Sequence, residues 1–262
     1  MKYTFEELKK MMEENSGNLD LRYHGVEELP SGLLVKGDLN LTKCPIETLP
    51  EDIIIEGNLI LNHSNIKYLP DNFKVGKDLY LQHTTIKSLP EDLTIGGTLR
   101  VDHSILTELP KGLNIGGNLV MTKTWIRAIP KDIRINGSLH ASHSELRSLP
   151  MNLMVGVGID ISHTDIDFLP DNLRVNKNLI LDHSRIKSIN STLMVGGDLS
   201  LNHTPIQAIP SGLKIGGSLS IKGTMITELP RDLVVKENLY IGNDTPIYIP
   251  DYVDVRGSII WG

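Results

Sequence analysis

The sequence predicts an all-β solenoid of parallel strands, one turn of chain per 20 residues, closed at its start by a short capping helix. Three observations carry this. Leu-Pro or a close variant recurs every 20 residues without a slip, from Leu29-Pro30 through Leu89-Pro90 and Ile129-Pro130 to Ile249-Pro250. Inside each unit, apolar and polar residues alternate in two short runs, which is the period of a strand. No stretch inside a unit has the length and period of a helix.

The elements follow in chain order. Thr4-Phe5-Glu6-Glu7 is a capping-box pattern, a threonine with a glutamate three places on. Phe5, Leu8, Met11 and Met12 then share one helical face, so residues 4–14 are expected to cover the first coil. Residues 1–17 are assigned to this cap and residues 18–262 to the solenoid, as one domain overall. A half unit, Asn18 to Pro30, leads into eleven full units, Ser31 to Pro250, and a truncated one follows.

Glu91 to Pro110 shows how one unit works. Leu93 and Ile95 form a first strand run, Gly96-Gly97 is expected to be a tight turn, and Leu99 and Val101 form a second run. Leu106 and Leu109 follow, and Pro110, which cannot donate a ladder hydrogen bond, closes the coil. Six inward side chains on three faces cannot be buried by one coil alone. Stacked coils share a continuous core. The last full unit is irregular, with Gly242-Asn243-Asp244-Thr245-Pro246-Ile247 setting its isoleucine one place late. Ile259-Ile260-Trp261 then forms an apolar run in mid-coil, an edge that could template a second copy and give homo-association.

The run LxLxx(S/T)xIxxLP, with Leu59, Leu61, Ile66, Leu69 and Pro70 in order, resembles the bacterial leucine-rich repeat of the short, 20-residue class. That class includes the repeat regions of type III secreted effectors and related bacterial and phage proteins. The resemblance spans about residues 18–262. It implies a curved solenoid whose LxL strands line a concave, protein-binding face. Two departures stand out. The family's asparagine ladder is replaced by Ser64, Thr84, Ser104, Thr124, Ser144, Thr164, Ser184, Thr204 and Thr224, with Cys44 at the start. The Val or Ile followed by Gly-Gly or a variant of it before each LxL run adds a three-faced, β-helix character. With the repeats running to residue 262, the ubiquitin-ligase domain attached to some effector relatives is not expected here.

Composition narrows the function classes. The net charge of −6 lacks the basic footprint of a non-specific nucleic-acid binder. Cys44 is the only cysteine, so neither an intramolecular disulfide nor a paired-cysteine metal site is available. No apolar run has the length of a membrane span, and the charged N-terminus lacks a signal-peptide core. These features predict a cytoplasmic protein, or one passed into a host cell without a cleavable signal peptide.

The most distinctive column is His63, His83, His103, His143, His163, His183 and His203, with Lys43 and Lys123 taking the same place in two other coils. These side chains are expected to point outward at strand spacing, ~4.8 Å apart. Duplication of an ancestral histidine explains the column; a stripe for an anionic partner, a metal site or a catalytic group are the alternatives. No fixed carboxylate accompanies it and no rung is unique, so neither catalytic residues nor a resident metal is assigned and no cofactor is expected. Between the two strand leucines the column varies: Asn40, Ile60, Tyr80, Arg100, Val120, His140, Asp160, Ile180, Ser200, Ser220, Tyr240. A variable column on a faithful core suits recognition, and Tyr80, Arg100 and Tyr240, together with Trp125 outside the core columns, are of the types that anchor interfaces. A basic-leaning column, Lys67, Lys87, Arg127, Arg147 and Lys187, is expected to be a solvated face. Asp102, Asp160 and Asp182 are the acids a carbohydrate-active site would need, and they are scattered. No nucleophile elbow, phosphate loop, zincin motif or dinucleotide fingerprint is present. The leading expectation is a non-enzymatic module binding a protein through its outward strand face, as a bacterial effector or phage protein would. The alternatives are a self-assembling structural solenoid and a carbohydrate-binding or carbohydrate-active β-helix.

Overall fold

In the computed structural model, which describes residues 2–243 and 246–262, every 20-residue unit forms one coil carrying two strands of two or three residues. The chain is a parallel-strand solenoid preceded by one helix, and its contacts group it into two units. The first is Met1–Ile126 with Asp132–Gly137; the second is Arg127–Lys131 with Ser138–Gly262.

In the first unit, helix α1 spans Phe5–Glu14. Thr4 is its N-cap, and the expected box forms in full: Glu7 N–H donates to Thr4 Oγ1, and Thr4 N–H donates to Glu7 Oε2 at 2.8 Å. The expected apolar face narrows. Leu8 and Met12 are buried, Met11 is half-buried and Phe5 is exposed, because a helix of ten residues set on one coil end has room for a single stripe. Six LxL strands, Leu19–Asp20, Leu39–Asn40, Leu59–Ile60, Leu79–Tyr80, Leu99–Arg100 and Leu119–Val120, pair in parallel with a register of 20. A second sheet runs from Leu34–Val35 to Arg134–Ile135. The second unit repeats the scheme, with LxL strands from Leu139–His140 to Ile259–Trp261 and a second sheet from Arg174–Val175 to Asp254–Val255.

The inward columns are those the alternation demands. Leu93, Ile95, Leu99, Val101, Leu106 and Leu109 are all buried. Each such side chain contributes about 1.5–3 kcal/mol by leaving water. In the second unit, Ile247 and Ile249 are only half-buried, where Ile206, Ile209 and Ile226 are buried. Asp244 and Thr245 of the irregular segment lie outside the described residues. Ile259, Ile260 and Trp261 pair with the preceding coil and remain exposed.

Two expectations are corrected. Gly96-Gly97 is not a turn requiring left-handed backbone, since neither residue has a positive φ. Glycine is demanded by the neighbouring coil: a Cβ on Gly97 would occupy the place of Asp78 Oδ1, and one on Gly96 that of the Gly76 carbonyl oxygen. The inter-coil ladder is not the Ser/Thr column either. Those hydroxyls are buried and mostly turn back on their own coil, as Thr84 Oγ1 does to Leu81 O (2.7 Å) and Thr204 Oγ1 to Leu201 O (2.7 Å). The rungs that join coils stand just before each LxL strand. Asn18, Asp38, Asn58 and Asp78 each accept the backbone N–H 20 residues on, and Asn178 and Asp198 do the same in the second unit. The amide ladder is therefore present but displaced. Cys44 is buried, its Sγ donates to Leu21 O (3.1 Å), and burial pushes its thiol up, so it is a packing residue.

Candidate recognition surface

Each LxL strand from Leu19–Asp20 to Leu219–Ser220 ends in a four-residue turn. In the coil Leu61 to Ser64, Ser64 N–H donates to Leu61 O (3.0 Å), and His63, the third residue, takes the left-handed conformation with φ 58°. The same holds at His83, His103, His143, His163, His183 and His203, and also at Tyr23, Lys43, Lys123 and Gly223. A left-handed residue throws its side chain outward, clear of the core. Successive coils therefore align their imidazoles face to face.

The histidine column is a stack. In the first unit, His63–His83 and His83–His103 have ring centroids 4.5 and 4.8 Å apart. In the second, His143–His163, His163–His183 and His183–His203 lie 4.2, 4.4 and 4.6 Å apart. Ring planes differ by 7° to 28°. Lys43 continues the column toward Tyr23, its Nζ 5.3 Å from the ring centre. Loss of water around the ring, then the charge of His83 and Lys43, holds His63 below the ordinary histidine range. His183 is lowered by loss of water and by His163 and His203, against an opposing pull from Asp182. Asp102 Oδ2 lies 3.6 Å from His103 Nδ1.

The strand face lies beside this stack. Tyr80 and Arg100 are register partners on adjacent strands. Tyr80 Oη donates to Asp78 Oδ2 (2.9 Å), and burial together with that carboxylate pushes its phenol up. Arg100 Nε donates to Asp102 Oδ1 (3.3 Å), and Gln82 Nε2 donates to Asp102 Oδ2 (3.2 Å). The 8% exposed Asp102 thus ties the strand face to the imidazole stack. In the second unit, Asp182 accepts from Ser200 Oγ (2.5 Å) and from the Asn202 N–H (2.8 Å), while Asn202 Oδ1 accepts from Ser220 Oγ (2.7 Å) and from the Lys222 N–H (2.9 Å). The two serines leave a shallow depression of about 400 Å³ between Ile180 and Tyr240, and Lys222 Nζ sits 5.7 Å from the Tyr240 ring centre.

The structure thus brings together Tyr80, Arg100 and His103 in the first unit, and the Tyr240 neighbourhood in the second. Trp125 is exposed and stands off the strand face, in the turn after Thr124. Asp102 and Asp182 hold neighbouring side chains, and Asp160 accepts from Ser162 N–H and Oγ. Sequence inspection missed Gln82 and Asn202 as members of this surface. Their signal is a polar residue directly after the second strand leucine, coil after coil. The basic column is partly paired, Lys67 with Glu47 (2.7 Å) and Arg127 with Glu145 (2.9 Å), as a solvated face would be. Among the described residues no helix is long and apolar enough to cross a membrane.

No family model matches the chain, and no curated protein matches it. Among solved structures it is similar to YopM from Yersinia enterocolitica (19% identity, 96% of this chain and 72% of that one, TM-score 0.42). It is similar also to YopM of Yersinia pestis, a leucine-rich effector protein (15%, 97% and 92%, TM-score 0.46). A third similarity is to a leucine-rich repeat protein of Leptospira interrogans (18%, 99% and 88%, TM-score 0.48).

Proposed function

We propose that the chain is a non-enzymatic recognition module that binds a protein partner across its strand face, with Tyr80 and Arg100 as anchors in the first unit and Tyr240 in the second. One observation carries this: the large side chains of that face are held by neighbours before any partner arrives. Tyr80 is fixed by Asp78, Arg100 by Asp102, and Tyr240 Oη accepts from Asn238 Nδ2 (3.3 Å). Side chains ordered in advance lose less freedom on binding, so more of the contact energy appears as affinity. Tyrosine and arginine are also the types that dominate interface energetics. The surface columns differ from coil to coil while the core does not, which gives one scaffold a unique pattern of contacts.

The test compares faces. Retention of protein from a lysate by the wild-type chain is set against Tyr80→Ala with Arg100→Ala, and against Met154→Ala with Met194→Ala on the strands Met154–Val155 and Met194–Val195, outside the LxL sheet, where both methionines are exposed. Loss of two anchors worth about 2 kcal/mol or more should weaken retention at least about tenfold. The methionine variant should bind as the wild type does. Loss only in the methionine variant would move the partner to the other face and sink the proposal.

A further inference from the structure

We infer that adjacent rungs of the imidazole ladder form open, two-ligand sites for a divalent transition-metal ion, copper(II) most strongly, then nickel(II) and zinc. The inference is independent of the proposed protein partner. It rests on four features of the ladder. The rings are exposed and consecutive, with three adjacent pairs between His143 and His203 and two between His63 and His103. Among the described residues none of these rings makes a hydrogen bond, so their neutral nitrogens keep a free lone pair, the donor that transition metals take from histidine. The spacing permits it: two nitrogens that share one ion at bond lengths of about 2 Å lie within about 4 Å of one another, and rings whose centroids are 4.2 to 4.8 Å apart are close enough for a rotated ring to reach that separation. The fourth feature is the surrounding charge. Lys43 and Lys123 interrupt or flank the stack, Asp102 faces His103 and Asp182 faces His183, and both acids are already hydrogen-bonded to other groups.

Parallel rings aim their lone pairs side by side, so binding requires one exposed ring to rotate about its Cβ–Cγ bond until two lone pairs converge. No three of the histidine, cysteine and acidic side chains converge among the described residues. Two imidazoles and water therefore complete each site. Such a nitrogen set follows the usual divalent series, with copper(II) ahead of nickel(II) and zinc, and gives nothing to magnesium, which seeks oxygen. Protons compete for the same lone pairs, so occupancy falls as the ladder is acidified.

The experiment titrates the full-length chain with copper(II), zinc or magnesium ions, followed by calorimetry and by the NMR signals of the imidazole rings. Two variants lose three histidines each. His83→Gln, His163→Gln and His203→Gln together leave four ladder histidines, no two adjacent. His63→Gln, His103→Gln and His203→Gln also leave four, but keep His143, His163 and His183 consecutive. All the substituted side chains are exposed, and thermal melts verify that both variants fold. The wild type should bind copper(II) and zinc but not magnesium. The adjacency-breaking variant should lose at least about tenfold in affinity, as expected when one of two nitrogen ligands is removed, while the count-matched variant keeps its tight phase. Lowering the pH from about 7.5 to about 5.5, through the ordinary histidine value, should weaken the wild type by at least about tenfold. Equal loss in the two variants, equal binding of magnesium, or no binding to the wild type would each overturn the inference.

Discussion

Two columns of this chain share one backbone conformation and use opposite residues to reach it. In seven of the turns that follow a Leu-Pro or Ile-Pro pair, a left-handed position is filled by Gly32, Asn72, Asp92, Gly112, Asn152, Asn172 or Gly212, with φ between 53° and 79°. At Met151-Asn152, the Leu153 N–H closes the turn on Pro150 O (3.2 Å). In the turns after the LxL strands from Leu19–Asp20 to Leu219–Ser220 the same conformation, with φ 54° to 59° at the histidines, is carried by seven imidazoles, two lysines, Tyr23 and Gly223. Glycine and asparagine are what this turn geometry asks for. Histidine tolerates it better than most residues, but a left-handed backbone still costs most side chains roughly 1–2 kcal/mol. The first column is thus filled according to its backbone. The second is filled by residues its backbone does not ask for, and its product is two imidazole stacks, His63 to His103 in the first unit and His143 to His203 in the second.

The comparison can be broken or sharpened at several scales. Both columns hang on one core, so the largest effect lies beneath them: Leu119→Ala, at a fully buried site, should cost about 2–5 kcal/mol in a denaturant melt. Next, Gly112→Val places a branched side chain at φ 68° and against the Asp92 carboxylate, and should cost about 1–3 kcal/mol. A cost near zero would show that the turn column is not limited by its backbone.

Acid should separate the columns by chemistry. His63 and His183 are lowered in the folded chain, by loss of water first and then by charged neighbours. Their folded form favours the neutral ring. Stability is therefore fully present above the unfolded value of about 6.5 and is lost as pH falls through it and through the lower folded values. Melting temperature should drop between about pH 7.5 and pH 5, and less so once His83, His163 and His203 are glutamine. The smallest effects are the swaps. His163→Asn and Asn172→His keep residues that accept the left-handed turn, and each should change stability by less than about 0.5 kcal/mol.

Much of the fold was legible because its signals are periodic. Leucine at 20-residue spacing fixed the inward columns, and the Thr4–Glu7 pattern fixed the helix start. The displaced amide ladder was not legible, because Asn18, Asp38, Asn58 and Asp78 act on the next coil, 20 residues away, and sequence shows only their local surroundings. The glycine pairs misled for the same reason: their demand comes from Asp78 and Gly76 in the coil before, not from their own turn. Of the surface, the histidine column was visible as a repeat. Its left-handed backbone was hidden, since histidine and lysine are not the residues that announce such a turn. The hold of Asp102 on Arg100 depends on which side chains share a face after stacking, and that is a tertiary fact.

The most direct measurement is the NMR titration of the His63 and His183 ring signals in the wild-type chain and in His83→Gln and His163→Gln. If the rungs are set against one another, both rings titrate below about 6.5, His63 moves up when His83 is removed, and His183 moves up when His163 is removed. Titration of both rings at the ordinary value, unmoved by either substitution, would contradict the stack as a coupled element and leave the column a product of repetition alone.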